Sequence, residues 1–517
     1  VHIGRTLATW VRCSAAARVA VRATCAILGL DEPGVQPGAA SRPACGRDIA
    51  GSSLVLAAVM RVIEPVLGLF GGLVRALASA ATESVTASAV RALAAQFDRL
   101  RDSPAGCTSL ALQLAGRLKQ FVMTEPAAAG VAFILCVLPF APTTGLTAIC
   151  VLMCGLQALR LIHARTSPTS GASDIPAASF AFVAFLAAGA SISRRASVPA
   201  LVLWAAYLAV YFVALTSRPS GRVVRAIAVA LLLSACVVSA LGIVQFIQGG
   251  ETSASWIDTK VFEDVKTRVY SVFDNPNMLA EFLAFALPLG VALILANPRS
   301  PAVLFYAPAV GLGTVCLALT YSRGGWVATL IGVMAVIITR SRRLAAAFLV
   351  LMLIAAPLLP QSIQTRAITA LTMQDSSTTY RLTIWKSALR MVRDYWPIGV
   401  GLGSGAFEYV YPAYEIAGTP AAHTHNLYLQ ILVEMGIPGL LVFLWLLLCF
   451  TREVARAAAS GAAEPLMFAA LAGSIAGQAV HGVIDNIWYS PKNVFMFWAV
   501  LGLTLAMARM PRAGVKA

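Results

Sequence analysis

The chain has 517 residues, of which 59% are hydrophobic and only 12% are charged. That charged fraction is about half of an average soluble domain's. With a mean hydropathy of +0.78, it excludes a disordered chain, a fibrous protein and an ordinary soluble enzyme, and it indicates a polytopic membrane protein. The net charge of +16 fits basic residues that flank membrane spans on the cytoplasmic side. We therefore expect membrane lipids, and no nucleic acid, as partners.

The ten cysteines lie mostly in apolar runs, and none falls in the two long polar loops described below. Cys150 and Cys154 have no His or carboxylate cluster beside them in the sequence. We interpret the cysteines as small buried hydrophobic residues, not as disulfide partners or metal ligands.

The first 121 residues differ from the rest of the chain. Residues 1–50 carry recurring arginines followed by a Pro/Gly-rich linker, without the continuous apolar core of a signal peptide. Either the start site is assigned too far upstream, or this is a basic amphipathic arm on the inner leaflet. Residues 51–121 are helix-forming but interrupted by charges such as Arg61 and Glu64. We predict interfacial amphipathic helices there.

From residue 126 onwards, apolar runs recur with about the length that crosses a bilayer, roughly 20 residues each. They lie at 126–140, 143–163, 175–191, 199–216, 223–247, 277–296, 301–320, 324–340, 343–359, 427–450, 464–488 and 492–508. The sequence therefore predicts an all-α fold, a polytopic bundle of about 12 transmembrane helices over residues 126–508.

The distribution of Lys and Arg predicts the orientation of this bundle. With both ends cytoplasmic, most basic residues fall in the inner connections and in the tail at 509–517. The outer connections contain few of them, apart from two long loops at 249–276 and 361–426. We therefore expect both loops to be periplasmic.

Polar residues near a bilayer are costly and need a reason, and most polar clusters here fall on the outer face. Arg268 precedes an NPN turn that ends at Asn277. For Arg268, a structural role beside a helix cap and a role in substrate binding are equally good interpretations.

In TYSRGGW, Arg323 lies on a tight turn on the side that should lack positive charge. This placement favours anion binding over snorkelling to headgroups.

The segment YRLTIWKSALRMVRD in the large loop predicts an amphipathic helix. Its apolar face consists of Trp385, Val392, Leu389, Ala388 and Leu382, and its polar face of Lys386, Arg390, Arg393, Thr383 and Asp394. Arg381 lies in the middle of the apolar face, and a buried guanidinium needs an anion such as phosphate. The alternative is a helix that begins after Arg381. A glycine-rich stretch that we expect to be flexible, GVGLGSG, follows.

Two histidines stand where the large loop joins the next span. His423 and His425 can exchange a proton near neutral pH, and metal binding is disfavoured because no carboxylate or Cys cluster accompanies them in the sequence. Glu434, in the apolar run that follows, should be hydrogen-bonded within the bundle.

His481 and Asp485 are four residues apart and share one helix face. A structural pair and a catalytic pair both stay open.

Four motifs follow one another in the chain: SVFDNPN…AEF, YSRGGW, R-x-x-x-W…P-x-G-x-G-x-G and HTHN-x-x-L-x-x-x-x-E-x-G-x-x-G. In this order they resemble the O-antigen ligase/polymerase family of polytopic membrane proteins. TRVYS-x-x-x-NPN and HG-x-x-D-x-x-WY are similar to a branch that includes cyanobacterial proteins once proposed as bicarbonate transporters. The resemblance covers about residues 126–508.

The resemblance implies a glycosyltransferase of the bacterial cytoplasmic (inner) membrane, without metal or cofactor, whose active site faces the periplasm. It would move a saccharide from an undecaprenyl-diphosphate carrier to an acceptor glycan, lipid or protein. Arg323 and Arg381, with Arg268 in second place, would hold the diphosphate. His425, with His423 in second place, would act in catalysis. Ligase and polymerase of a surface polysaccharide both stay open.

Two other functions remain as alternatives. A small-anion, bicarbonate-like transporter should place ionisable residues at mid-span and show repeated halves with broken helices. Here the arginines cluster on one face and no repeat is evident. The other alternative is an assembly partner in polysaccharide export. In the transferase interpretation, structural or supporting roles fall to His481, Asp485 and Asn277.

Overall fold

The computed structural model describes residues 125–164, 169–249, 267–358, 360–365 and 376–510, which all belong to one compact unit, Phe121–Ala517. The predicted basic arm at 1–50 and the predicted interfacial helices at 51–121 lie outside the described residues. So do most of the outer loop 249–276, residues 366–375 of the large loop and the tail beyond residue 510. Within the described ranges the regular structure is helical and contains no strand, so the all-α class is confirmed.

Each predicted span contains one helix, so the helices follow the apolar runs closely. In chain order they are α1 (Pro126–Val137), α2 (Thr143–His163), α3 (Asp174–Gly189), α4 (Arg194–Thr216), α5 (Gly221–Ile247), α6 (Pro276–Ala296), α7 (Val303–Leu319), α8 (Arg323–Arg340), α9 (Arg342–Ala355), α10 (Ser376–Tyr395), α11 (Ser404–Val410), α12 (Leu427–Ala459), α13 (Pro465–His481) and α14 (Pro491–Ala508). Of these, α10 and α11 lie in the large loop.

Seven of the described helices are long and apolar enough to cross a membrane, namely α2, α4, α5, α6, α8, α12 and α14. Three further helices, α1, α3 and α7, are apolar but shorter. Helices α9 and α13 also coincide with predicted spans but have only 14 and 17 residues. The protein is therefore a multi-pass membrane protein, while the number of about 12 crossings stays a prediction.

The centre of the bundle is formed by α6, α8, α13 and α14. Helices α8 and α13 pack closely because small residues line their interface: Gly477 approaches the backbone of Ala328 so nearly that a side chain would not fit. Helices α6 and α14 are buried along most of their length. By contrast, α2 and α9 expose apolar side chains such as Leu152, Leu353 and Ile354, as expected of helices that face lipid.

Helix α12 is interrupted at Gly436, where φ is +65° and the backbone leaves the helical region. The glycine-rich stretch after α10 packs against this part of α12. The Val400 N–H donates to the carbonyl of Val433 at 2.9 Å, and the Gly401 N–H donates to that of Glu434 at 3.2 Å. The expectation that this stretch is flexible is therefore wrong, because backbone hydrogen bonds attach it to α12.

The side chain of Glu434 strengthens the same attachment. Its carboxylate accepts a hydrogen bond from the Gly403 N–H at 2.7 Å and another from the side-chain amide of Gln430 at 2.7 Å. The predicted hydrogen bonding of Glu434 within the bundle is confirmed. It explains why a costly buried acid is tolerated in an apolar helix.

Helix α10 begins at Ser376, so Arg381 lies inside it, and the alternative that the helix begins after Arg381 is wrong. The predicted apolar face is only partly correct, since Leu382 and Leu389 are 45% and 52% exposed. The side of α10 that is buried consists of Ile384, Ser387, Ala388 and Met391. The predicted face combined two apolar strips of the helix, and only one of them packs against the rest of the protein.

The topology predicted from the Lys and Arg distribution can be tested with reporter fusions at two exposed glycines. Gly418 lies in the large loop and Gly461 in the connection between α12 and α13, and neither has atoms within 4 Å of where a side chain would begin. Insertions there should be tolerated. A reporter that is active only in the periplasm should be active at Gly418 and silent at Gly461. The reverse pattern would overturn the topology.

Candidate functional site

The polar residues singled out in the sequence meet at one end of the bundle. This end consists of the N-termini of α6, α8 and α12 and of the turn that follows α13, with α10 beside them. Because consecutive spans run in opposite directions, these termini come from connections that the Lys and Arg distribution places on the same side.

One buried carboxylate, that of Asp485, connects these elements. Its Oδ1 lies 3.1 Å from Nδ1 of His425 and accepts the Asn486 N–H at 2.9 Å. Its Oδ2 accepts a hydrogen bond from the Asn277 side chain at 2.7 Å and lies 3.6 Å from Nη2 of Arg381. Residues that are up to 208 positions apart in the chain therefore share a single acceptor.

The surroundings of Asp485 keep it ionised. Burial alone would raise the pKa of this carboxyl, but the hydrogen bond with His425 and the charge of Arg381 outweigh burial and hold the pKa well below its usual range. An ionised Asp485 favours the proton of His425 on Nδ1. The other ring nitrogen, Nε2, is then left as the proton acceptor.

The backbone presents the His425 ring at the junction of loop and helix. His425 has φ of +50°, in the left-handed region that non-glycine residues seldom adopt. The next residue, Asn426, caps α12, since its side chain accepts the Leu429 N–H at 2.9 Å. The His425 side chain is 24% exposed, so a ligand can reach it.

His423 is arranged differently from His425. It is buried, its ring stacks on Tyr489 with ring centroids 4.2 Å apart, and its Nδ1 accepts the backbone N–H of His425 at 3.2 Å. Burial, and then the nearby His425, lower the pKa of His423 to about 3, although Asp485 acts in the opposite direction. A neutral His423 at physiological pH is suited to hold the His425 turn in place, and it is a weak base.

The predicted arginines occupy three different positions around this cluster. Arg381 projects from α10 toward Asp485. Arg268 is buried, and it donates to the Thr320 carbonyl at 2.9 Å and to the Asn277 side chain at 3.0 Å. It thereby joins the first turn of α6 to the turn between α7 and α8.

Arg323 is the first residue of α8. The following residue, Gly324, lies against the ring of His481 so closely that a side chain at this position would overlap it. The glycine of YSRGG therefore has a packing reason, because it lets the N-terminus of α8 approach the end of α13.

The sequence singled out Asp485 but did not identify its hydrogen-bond partner. Helix α13 ends at His481, so the predicted span 464–488 is too long, and Asp485 lies in the following turn. Its side chain pairs with His425 at 3.1 Å, while a ring nitrogen of His481 lies within 4.8 Å of the same carboxylate. The first turn of α12 fixes this geometry, because the Leu427 N–H donates to the carbonyl of Gly482 at 2.7 Å. The sequence signal for this break was Gly482, directly after the last helical residue.

Two groups of side chains have the composition of a metal site. One is His423, His425 and Asp485, and the other is Glu281, His481 and Asp485; within each group the candidate ligand atoms lie within 4.8 Å of one another. In the first group, Nδ1 of each His already has a hydrogen-bond partner. The expectation of transfer without metal stays a prediction.

A cavity of about 220 Å³ lies between α4 and α12, next to the turn that follows α13. Its lining includes Trp204, Gln430, Glu434, Asn486, Trp488 and Tyr489. The combination of aromatic and hydrogen-bonding side chains suits a small polar ligand. Because the Asn486 N–H donates to Asp485, this cavity borders the cluster.

Comparison with known families agrees with these features. The family model described as O-Antigen ligase matches residues 308–444, a segment that contains Arg323, Arg381, His423 and His425. A comparison with curated proteins gives no match. Asn277 and Asp485, which complete the cluster, lie outside the matched segment. The match confirms the resemblance noted in the sequence for residues 308–444, and this segment is similar to the O-antigen ligase family of membrane proteins.

Proposed function

We propose that this protein is a membrane glycosyltransferase that moves a saccharide from an undecaprenyl-diphosphate carrier to an acceptor glycan, lipid or protein. Its active site would face the periplasm at the bacterial cytoplasmic membrane. The family match supports an enzyme of the O-antigen ligase/polymerase type. The proposed transfer mechanism rests on one observation: His425 pairs with Asp485 at 3.1 Å, and Arg381 lies beside the same carboxylate.

His425 would act as the general base. Asp485 holds its Nδ1–H, so Nε2 takes the proton from the acceptor hydroxyl while that oxygen attacks the anomeric carbon. The bond between this carbon and the diphosphate oxygen breaks, and the diphosphate leaves with the electron pair. The ionised Asp485 stabilises the imidazolium that forms, and water removes its proton before the next turnover.

The arginines would stabilise the diphosphate. Arg381 stands 3.6 Å from Asp485, longer than a charge-assisted hydrogen bond of about 2.7–2.9 Å, and 18% of its side chain is exposed. It therefore retains donors for a phosphate. Arg323 lies at the N-terminus of α8, where the helix dipole also favours an anion. These cations would supply the charge compensation that a metal gives in other transferases.

Arg268 has a supporting role in this proposal. Because its guanidinium donates to Thr320 and to Asn277, it holds Asn277 in position to donate to Asp485. Arg268 thus acts on the cluster through Asn277, and its direct contact with the diphosphate stays a prediction.

The alternative functions need no base at this position. A small-anion transporter, or an assembly partner in polysaccharide export, should tolerate the loss of a proton-accepting nitrogen at residue 425. The substitutions of His425 below therefore also separate the transferase from both alternatives.

We expect Arg323→Ala and Arg381→Ala to abolish transfer while the protein still inserts into the membrane. Losing a charge-assisted contact with the diphosphate should cost about 3–5 kcal/mol. Lysine at either position should rescue only partly, since an ammonium lacks the bidentate fork of arginine. The measurement is saccharide transfer from the lipid carrier in isolated membranes.

Arg390→Ala is the matched control for these variants, because Arg390 lies on α10 like Arg381 but is exposed. It should retain transfer. Normal transfer by either Arg323→Ala or Arg381→Ala would contradict the assignment of that residue.

We expect His425→Ala to lower turnover about 10²–10⁴-fold, the range for a positioned acid–base group, with carrier-lipid binding largely intact. His423→Ala should reduce turnover less, because His423 acts only through the turn. Single-turnover transfer together with a carrier-binding assay measures both effects.

His425→Asn tests whether the residue has only a structural role. Asn tolerates the left-handed backbone well and can form local hydrogen bonds, but it cannot accept a proton near neutral pH. A folded, inactive His425→Asn protein is the result that we expect. Full activity of this variant would show that His425 shapes the turn and takes no part in proton transfer.

A further inference from the structure

A second polar cluster lies directly beneath Asp485 and takes no part in the proposed transfer. Glu281 follows Asn277 by one turn on the same face of α6. His481 is the last residue of α13, and Asn493 lies in the first turn of α14. Glu281, His481 and Asn493 are each 2% exposed, so the cluster is shielded from water and joins three central helices.

Several atoms of this cluster lack hydrogen-bond partners among the residues that the structure describes. They are Nδ1 of His481, Oδ1 of Asn493 and Oε1 of Gln478, which is fully buried on α13. Buried polar atoms are almost always paired, and each exception needs an explanation. His481 also brings a ring nitrogen within 4.8 Å of a carboxylate oxygen of Glu281 and of Asp485.

The two amides cannot satisfy their oxygens by turning over. The Asn493 amide nitrogen donates to the carbonyl of Met278 at 3.0 Å and to the Glu281 carboxylate. The Gln478 amide nitrogen donates to the carbonyl of Glu281 at 2.8 Å. Reversing either amide would place oxygen against oxygen. Both oxygens are therefore surplus acceptors, and that of Asn493 belongs to an amide in contact with the Glu281 carboxylate.

The cluster also lacks a balancing cation. Asp485 has Arg381 beside it, whereas no ion pair joins Glu281 to a lysine or arginine in the described part of the chain. An isolated buried carboxylate is unstable in a medium of low dielectric constant. Surplus oxygen acceptors, an unpaired imidazole nitrogen and a carboxylate all favour the same kind of ligand, a cation.

The cluster containing His423 and His425 differs in this respect. There, Nδ1 of His425 faces Asp485 and Nδ1 of His423 accepts a backbone N–H. Both of these nitrogens therefore already have partners within the protein. Of the two clusters, only the one around Glu281 contains buried side-chain atoms without a hydrogen-bond partner among the described residues.

We propose that Glu281 and His481, with the side-chain oxygen of Asn493, bind a divalent cation beneath the Asp485 turn. Mixed imidazole and oxygen ligands suit ions such as Zn²⁺ or Mn²⁺. The ion would fix α6, α13 and α14 together and thereby set the position of Asp485. It lies beneath the cluster that would meet the substrate, and the inference does not rest on the proposed transferase activity.

The test uses the purified full-length protein, stripped with a chelator and then incubated with Zn²⁺ or Mn²⁺. We expect roughly one tightly bound ion per chain by elemental analysis. Re-addition of the metal should raise the melting temperature by several degrees. Glu281→Gln and His481→Gln should each lose the ion and the thermal response.

The double variant His423→Asn/His425→Asn is the matched control, because it removes the other candidate cluster and leaves the buried one intact. It should keep the ion. Loss of the ion in this control with retention in Glu281→Gln would overturn the proposal. So would wild-type protein that binds no ion and shows no thermal response, a result that would assign ordered water to the cluster. The wild-type measurement decides whether the protein binds an ion even if a variant fails to insert into the membrane.

Discussion

The Asp485 carboxylate is buried in the turn that follows α13, where an ionised group is stable only if protein groups replace the water that it has lost. Asn277, His425, the Asn486 N–H and Arg381 replace that water. Removing one partner of a buried charge typically costs about 3–5 kcal/mol. Correct assembly of α6, α10, α12 and α13 is therefore coupled to the geometry of the proposed active site.

Close helix packing below this carboxylate fixes its position. Gly477 brings α13 against the backbone of α8, and Gly324 brings the first turn of α8 against His481. The attachment of the glycine-rich stretch to α12 adds a third constraint, since it fixes the end of α10 and hence the region that carries Arg381. This packing would hold a proposed base, His425, and a proposed cation, Arg381, on the one carboxylate of Asp485.

The sequence predicted the helices well because apolar runs of membrane length are a strong local signal. It also singled out polar residues that the structure brings together at one end of the bundle, since ionisable groups near a bilayer are costly and few. It did not predict that Asp485 pairs with His425, because that contact depends on a helix end and on two segments that are 60 residues apart.

The same reason explains two further differences. Which strip of α10 is buried depends on its tertiary partner, and periodicity alone does not identify that partner. The glycine-rich stretch looked flexible because glycine is permissive, whereas here glycine serves the close approach to α12.

We propose that Asp485 acts in transfer through His425, and a double-mutant cycle in single-turnover transfer measures this coupling directly. The single variants are His425→Asn and Asp485→Asn. If the two side chains act as a unit, the double variant should be far less impaired than the product of the two single losses. Losses that multiply would show that the two residues act independently, and this result would contradict a catalytic pair of His425 and Asp485.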